Sequence, residues 1–252
     1  MNGLFATFAL IVSVAASTAA NPPAQVTANP LASLKGATVA VDPGHNGGNA
    51  THPSEINRLV PAGGFMKACD TTGTATNDER LSEASFNLDV AKRLRRLLTA
   101  AGAKVVMTRT NNTGVGPCIN QRAAIGNRAK ADVAISIHAD GADTGDHGFH
   151  VIRPGLVHGY TGPIVKPSSR LSIDVRNQLD GVMSRSTYIG NGTGLDRRTD
   201  LGGLNLSKVP KVLVELGNMR NAGDASKQES AAWRARAALA LRRGLARFLA
   251  GR

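Results

Sequence analysis

Two kinds of apolar run alternate along the chain: short, near-continuous stretches, and longer ones with apolar residues spaced at three and four. The short runs are Ala37–Val41 (ATVAV), Ala103–Arg109 (AKVVMTR), Asp132–His138 (DVAISIH), Gly148–Ile152 (GFHVI) and Lys211–Leu216 (KVLVEL). Brief apolar runs bounded by turn signals read as strands, and near-continuous ones as strands covered on both faces. Helical spacing starts near Arg80, where Leu81, Ala84, Ser85, Leu88, Ala91, Leu94 and Leu98 recur on one side, and Gly102 closes the segment. Further helices are predicted over Gln121–Lys130, from about Ser168 to Leu179, and from about Ser226 to Leu249. Strands separated by helices predict an α/β domain, a three-layer α/β/α sandwich with a mostly parallel central sheet and helices on both faces. Asn46–Asp78 is rich in Gly, Thr and Asn and lacks periodicity, so it reads as a long loop with room for a hairpin.

The first 20 residues carry no charged side chain; an apolar run over Leu4–Val14 is followed by Ala-Ala-Ser-Thr-Ala-Ala. That is the form of a signal peptide, although no Lys or Arg precedes the run. The run is shorter than the roughly 20 apolar residues that a membrane-spanning anchor needs. Residues 21–34 are rich in Pro, Ala and Asn and read as an unstructured linker, leaving 35–252 as one folded domain. In an exported chain the two cysteines, Cys69 and Cys118, are expected to pair. Such a bridge closes a loop of about 50 residues and contributes roughly 3–4 kcal/mol in the chain-entropy picture.

Charge changes the picture further. Lys and Arg number 30 against 18 Asp and Glu, a formal net charge of +12, which predicts an anionic partner. Aromatic residues make up only 4% and no nucleic-acid motif occurs, so a nucleic-acid platform is disfavoured. Arg234, Arg236, Arg242, Arg243 and Arg247 crowd the last helical segment, with Arg252 beyond it. They form either a solvated outer face or a surface that attracts a polyanion.

Candidate chemistry sits where apolar strands end. His45 follows VAVDPG, His138 ends VAISI, and Glu215 ends VLV. Ligand crevices of open α/β sheets lie outside the carboxyl ends of the strands, so these three side chains can converge. Glu83 stands in the first turns of the long helix, with Asn87 one turn further on the same side. Two His with one or two carboxylates form the ligand set of hydrolytic zinc. Each also has a structural reading: His45 as a turn residue, His138 as a hydrogen-bonded strand end, Glu83 as a solvated helix charge. Glu215 is harder to place so, because a carboxylate ending so apolar a run is costly to bury unpaired.

The blocks VAVDPGHNGG, EASFNLDVAKRLRRLL…GAKVVMTR, NRAKADVAISIHAD and LSKVPKVLVELGNMRNAGDA resemble, in order, the signatures of zinc-dependent N-acetylmuramoyl-L-alanine amidases of the amidase-3 type. Together they span about 37–249. The resemblance implies one zinc ion held by His45, Glu83 and His138, with Glu215 as catalytic acid/base. It implies cleavage of the amide between N-acetylmuramic acid and the L-alanine of the stem peptide. Peptidoglycan or muropeptide is then the substrate, and the basic surface a means of attraction to anionic wall polymer. An exported, wall-associated or periplasmic monomer without a stable membrane anchor is expected. Three positions depart from the family's pattern: Ala84 in place of Lys, Asp140 in place of Asn, and Asn218 in place of an aromatic. Glu79 is a rival to Glu83 as ligand, though the Asn87-Leu88 register favours Glu83. His52, His147, His150 and His158 match no motif and read as loop or strand residues. Rival readings are another zinc peptidase acting on stem peptides and a non-catalytic wall-binding protein on the same scaffold.

Overall fold

The computed structural model describes Met1, Gly3 and residues 30–251; the expected signal segment and most of the expected linker lie outside the described residues. The end of that linker is structured. Pro30–Leu34 form a 3-10 turn, Leu34 is fully buried, and Ser33 Oγ donates to the Ala246 carbonyl at 2.7 Å. Burying Leu34 anchors this turn, so residues 30–34 of the expected linker pack with the domain.

The central sheet has six strands: β1 (Thr38–Pro43), β4 (Lys104–Met107), β5 (Val133–Asp140), β6 (His150–Pro154), β7 (Leu195–Arg198) and β8 (Lys211–Asn218), in the order β4-β1-β5-β8-β6-β7. Neighbours run parallel except β6 against β8. The reversal has a covalent cause. Only residues 141–149 join β5 to β6, without a helix, and a parallel return needs a crossover of about a dozen residues or more. A two-stranded hairpin, β2 (Leu59–Pro61) and β3 (Met66–Ala68), fills part of the long predicted loop, behind a short helix α1 (Pro53–Asn57).

Strand alternation divides the core. Val39 and Val41 of β1, with Val133, Ile135 and Ile137 of β5, pack against α2 (Glu83–Ala100), α4 (Gly162–Leu179) and α7 (Ala231–Ala250). The opposite side carries Ala40 and Ala134 and is covered by α3 (Ile119–Arg128) and α5 (Gly202–Asn205). Its small residues let α3 approach closely: a Cβ at Gly126 would stand 3.3 Å from that of Ala40. This is the expected three-layer arrangement.

Several boundaries differ from the sequence expectation. Helix α4 begins at Gly162 rather than near Ser168, because Pro163 suits its first turn and Pro167 is tolerated inside it. The predicted closing helix is two, α6 (Ala222–Glu229) and α7. Ser230 is extended, and its side chain caps α7 by accepting from Trp233 N. Strand β7 and helix α5 had no predicted counterpart. Cys69 and Cys118 are disulfide-bonded, with Val60 packed beside them, and so join the end of the hairpin to the start of α3.

Candidate metal centre

His45 lies just past the carboxyl end of β1 in a left-handed conformation, with φ 57°. The preceding Gly44 is dictated by space. The His138 ring lies against it, and a Cβ there would fall 2.1 Å from His138 Cε1. Glu83 opens α2, behind Ser82, whose side chain accepts from Ser85 N. The loop 71–74 folds over it, and Thr74 N donates to Glu83 Oε2 at 3.1 Å.

These three residues converge. Glu83 Oε1 lies 3.2 Å from His45 Nε2 and 2.9 Å from His138 Nδ1, and one donor atom from each of the three residues falls within 4.8 Å of the others. The imidazole rings meet edge to face, 4.9 Å between centroids. Asn87 Nδ2 donates to Glu83 Oε1 at 3.2 Å and to the Gly44 carbonyl, as the one-turn spacing implies. Glu79 is exposed in the preceding turn and takes no part. Among the described residues, His52, His147 and His158 also stay out of the cluster.

The sequence reading missed the groups that orient His45. Its Nδ1 lies 3.0 Å from Asp70 Oδ1 and 3.1 Å from the Thr71 carbonyl. With two acceptors there, the proton sits on Nδ1 and the Nε2 lone pair is left for a cation. Arg122 joins Asp70 Oδ2 at 3.3 Å to Asp42 Oδ1 at 3.0 Å. Asp42 in turn accepts from Lys211 Nζ, Ser136 and Thr108. Burial works against a charged Asp42, but Lys211 and Arg122 prevail and hold its carboxyl well below the usual range. The carboxylate of Glu83 is likewise buried, and held low by His45 and His138.

Glu215 stands in β8 directly opposite His138 of β5 on one side and His150 of β6 on the other. Val214 belongs to the core on the α4/α7 side, so Glu215, by alternation, shares the α3/α5 side with His138 and His150. Its Oε2 is buried without a hydrogen-bond partner among the described residues. Burial, then the nearby carboxylates of Glu83 and Asp140, push its pKa well above the ordinary carboxylate value. A carboxyl whose pKa is raised toward neutrality suits proton transfer. Beside the cluster a cavity opens between the hairpin and the sheet, lined by Lys67, Ala68, Ile119, Leu201, Leu204 and Leu213.

The departures noted in the sequence find places too. Asn218 pins the loop after β5: its Nδ2 donates to the carbonyls of Asp143 and Asp146, and its Oδ1 accepts from Ala142 N. Ala84 is buried and its carbonyl accepts from Arg109 at 2.7 Å. Asp140 accepts from the Tyr188 hydroxyl at 2.9 Å.

A mixed α/β sheet with two imidazoles and a carboxylate gathered at its strand ends, and an unpartnered carboxyl alongside, defines a class: an α/β domain with a donor set able to hold a metal ion. The chain belongs to the N-acetylmuramoyl-L-alanine amidase family (Amidase_3), whose match covers residues 39–247. It is 38% identical to the N-acetylmuramoyl-L-alanine amidase Rv3717 of Mycobacterium tuberculosis, over 96% of this chain and 98% of that protein. Its fold matches the crystal structure of the N-acetylmuramyl-L-alanine amidase Ami1 from Mycobacterium smegmatis with a TM-score of 0.80 and 41% identity, covering 87% of this chain and 99% of that one. The Mycobacterium abscessus Ami1 structure, in its apo form, gives 0.79 and 42%, over 85% and 99%.

Proposed function

We propose that this protein is a zinc-dependent peptidoglycan amidase that cleaves the bond between N-acetylmuramic acid and the L-alanine of the stem peptide. The observation that carries the reading is the convergence of His45, Glu83 and His138 beside Glu215 on one side of the sheet. The donor set fits the ion: two neutral imidazoles and one carboxylate, with His45 Nδ1 already committed to Asp70. His45, Glu83 and His138 would hold zinc, which when bound supplies Lewis-acid polarisation of the scissile carbonyl and acidifies water.

The rest falls to the protein's own side chains. Glu215 takes the proton of the attacking water on a carboxylate oxygen and returns it to the nitrogen of the departing L-alanine. Asp70 keeps the His45 proton on Nδ1 throughout. The cavity beside the hairpin reaches the cluster at His45 and His138 and offers substrate an apolar wall of Ala68, Ile119, Leu201, Leu204 and Leu213.

Export and attraction to the wall are part of the same proposal. No helix among the described residues is long and apolar enough to cross a membrane. Arg236, Arg243 and Arg247 of α7, with Lys92, Arg95 and Arg96 of α2, are exposed on the side of the sheet away from Glu215. Arg234 is not free for this role, since it pairs with Asp89 and caps the carbonyls of Gln228 and Glu229. Attraction through such exposed charges weakens with salt, and binding to isolated wall that is equal at low and high salt would remove this part of the proposal.

Mass spectrometry of products from a defined muropeptide, alongside metal analysis of the purified protein, tests the chemistry. Release of a stem peptide beginning at L-alanine, with one zinc per chain, is expected. A shortened peptide would point to a zinc peptidase, and no product with no metal would point to a wall-binding protein.

A further inference from the structure

His150 is the one histidine outside the metal cluster that is almost fully buried, 2% exposed, and nothing in the chemistry above uses it. It faces Glu215 across the antiparallel β6–β8 pair. Directly opposed positions of such a pair carry their Cβ atoms about 4.5–5.5 Å apart on the same face. Both side chains keep a buried polar atom without a hydrogen-bond partner among the described residues, Nδ1 in His150 and Oε2 in Glu215. A buried orphan of this kind is costly, and here two complementary ones stand at opposed positions. The His150 ring meets the Tyr188 ring edge to face, with centroids 6.0 Å apart, and the Tyr188 hydroxyl donates to Asp140 Oδ2. Asp140 lies two residues beyond His138, so the imidazole is braced from the strand that carries a metal ligand.

We infer that His150 is a positioning residue for Glu215: in the working enzyme its imidazole hydrogen-bonds the Glu215 carboxyl, leaving the other carboxyl oxygen turned to the reacting water. The inference rests on the reading of Glu215 as acid/base. The reacting proton goes on and off that other oxygen, so the oxygen facing His150 stays an acceptor throughout, and one N–H of a neutral imidazole can hold it in both states. Burial pushes the His150 pKa down, which favours the neutral ring. Cross-strand placement explains why a histidine without motif neighbours belongs to the site.

The test compares His150→Leu, which removes the donor, with His150→Gln, which keeps one. Both are measured as zinc-loaded protein on a defined muropeptide. His150→Leu should retain one zinc per chain and a KM within about twofold, while kcat falls about 10- to 100-fold, as small misplacements of a catalytic group do. His150→Gln should recover a substantial part of kcat, which a purely structural role would not predict. In a Glu215→Gln background, His150→Leu should cost nothing further, because residues acting through one another are not additive. An unchanged kcat in His150→Leu, or an equal further loss in the Glu215→Gln background, overturns the inference while leaving Glu215 in place. Full activity of Glu215→Gln alone would instead sink the acid/base assignment and this inference with it.

Discussion

Asp70 Oδ1 lies 3.0 Å from His45 Nδ1 while its Oδ2 takes Arg122 at 3.3 Å, so the His45 imidazole ends a buried chain of alternating charge: Lys211, Asp42, Arg122, Asp70, His45. Such outer partners fix the tautomer of a ligand and raise its basicity. Asp70→Ala should weaken zinc binding about 10- to 100-fold, with saturating metal recovering much of the activity. Competition against a chelator of known affinity reads the first effect directly. An unchanged affinity would mean that the Thr71 carbonyl alone orients His45.

Without metal the cluster is held by protons, and pH should reveal it. Burial lowers the tendency of His45 to charge, but Glu83 and Asp70 overcome it and raise its pKa to about 10. A group with a raised folded pKa stabilises fully below its unfolded value, near 6.5, and loses that contribution as pH rises through the folded value. Glu215, also raised, has the same sign from about pH 4.5 upward. Thermal melts of the metal-free protein should therefore show Tm falling from pH 6.5 to 10, and His45→Asn should flatten the fall. With zinc added the trend should weaken or reverse, because the metal competes with protons for the same nitrogens.

Much of this site can be read from the chain because the clustered residues sit at the punctuation of the fold. His45 and His138 close apolar strands, and Glu83 shares a helix face with Asn87, so local spacing finds them. Asp70 gives no such signal. It stands in a loop without periodicity, and the bridge from neighbouring Cys69 to α3, with the backbone bond from Ile119 N to the Cys69 carbonyl, brings it beside Arg122. His150 was placed in a strand, yet its tie to Glu215 depends on β6 inserting antiparallel beside β8, a non-local pairing that no motif encodes. Strand β7, Leu-Asp-Arg-Arg, is an edge strand held by β6 alone, and its residues lack alternation. Pro167 explains the late predicted start of α4, since an interior proline reads as a boundary.

Gly44 makes a sharper prediction about packing. Its φ is not the issue: the constraint is the His138 ring, with Cε1, Nε2 and Nδ1 all within 2.6 Å of where a Cβ would lie. Gly44→Ala must push that ring away from Glu83 Oε1. We expect loss of stoichiometric zinc with the fold retained, seen as unchanged far-ultraviolet circular dichroism and little metal after dialysis. Stoichiometric zinc in Gly44→Ala would show that the ring can shift and still bind.

The disulfide separates a stability effect from a site effect. Cys69 and Cys118 are 49 residues apart, and opening a loop of that length costs about 3–4 kcal/mol in the chain-entropy picture. Any disulfide-bonded domain would show that loss in denaturant. Here the bridge also abuts Asp70 on one side and the N-terminus of α3, which carries Arg122, on the other. Asp70 N, besides, bonds the Ile56 carbonyl, and Ile119 N bonds that of Cys69, so some alignment survives without sulfur. Cys69→Ser/Cys118→Ser should therefore unfold at lower denaturant and bind zinc more weakly, with a smaller affinity loss than Asp70→Ala. Urea titration and chelator competition on the same preparation measure the two effects. A loss of stability with unchanged zinc affinity would show that the backbone bonds alone keep Asp70 and Arg122 in register with His45.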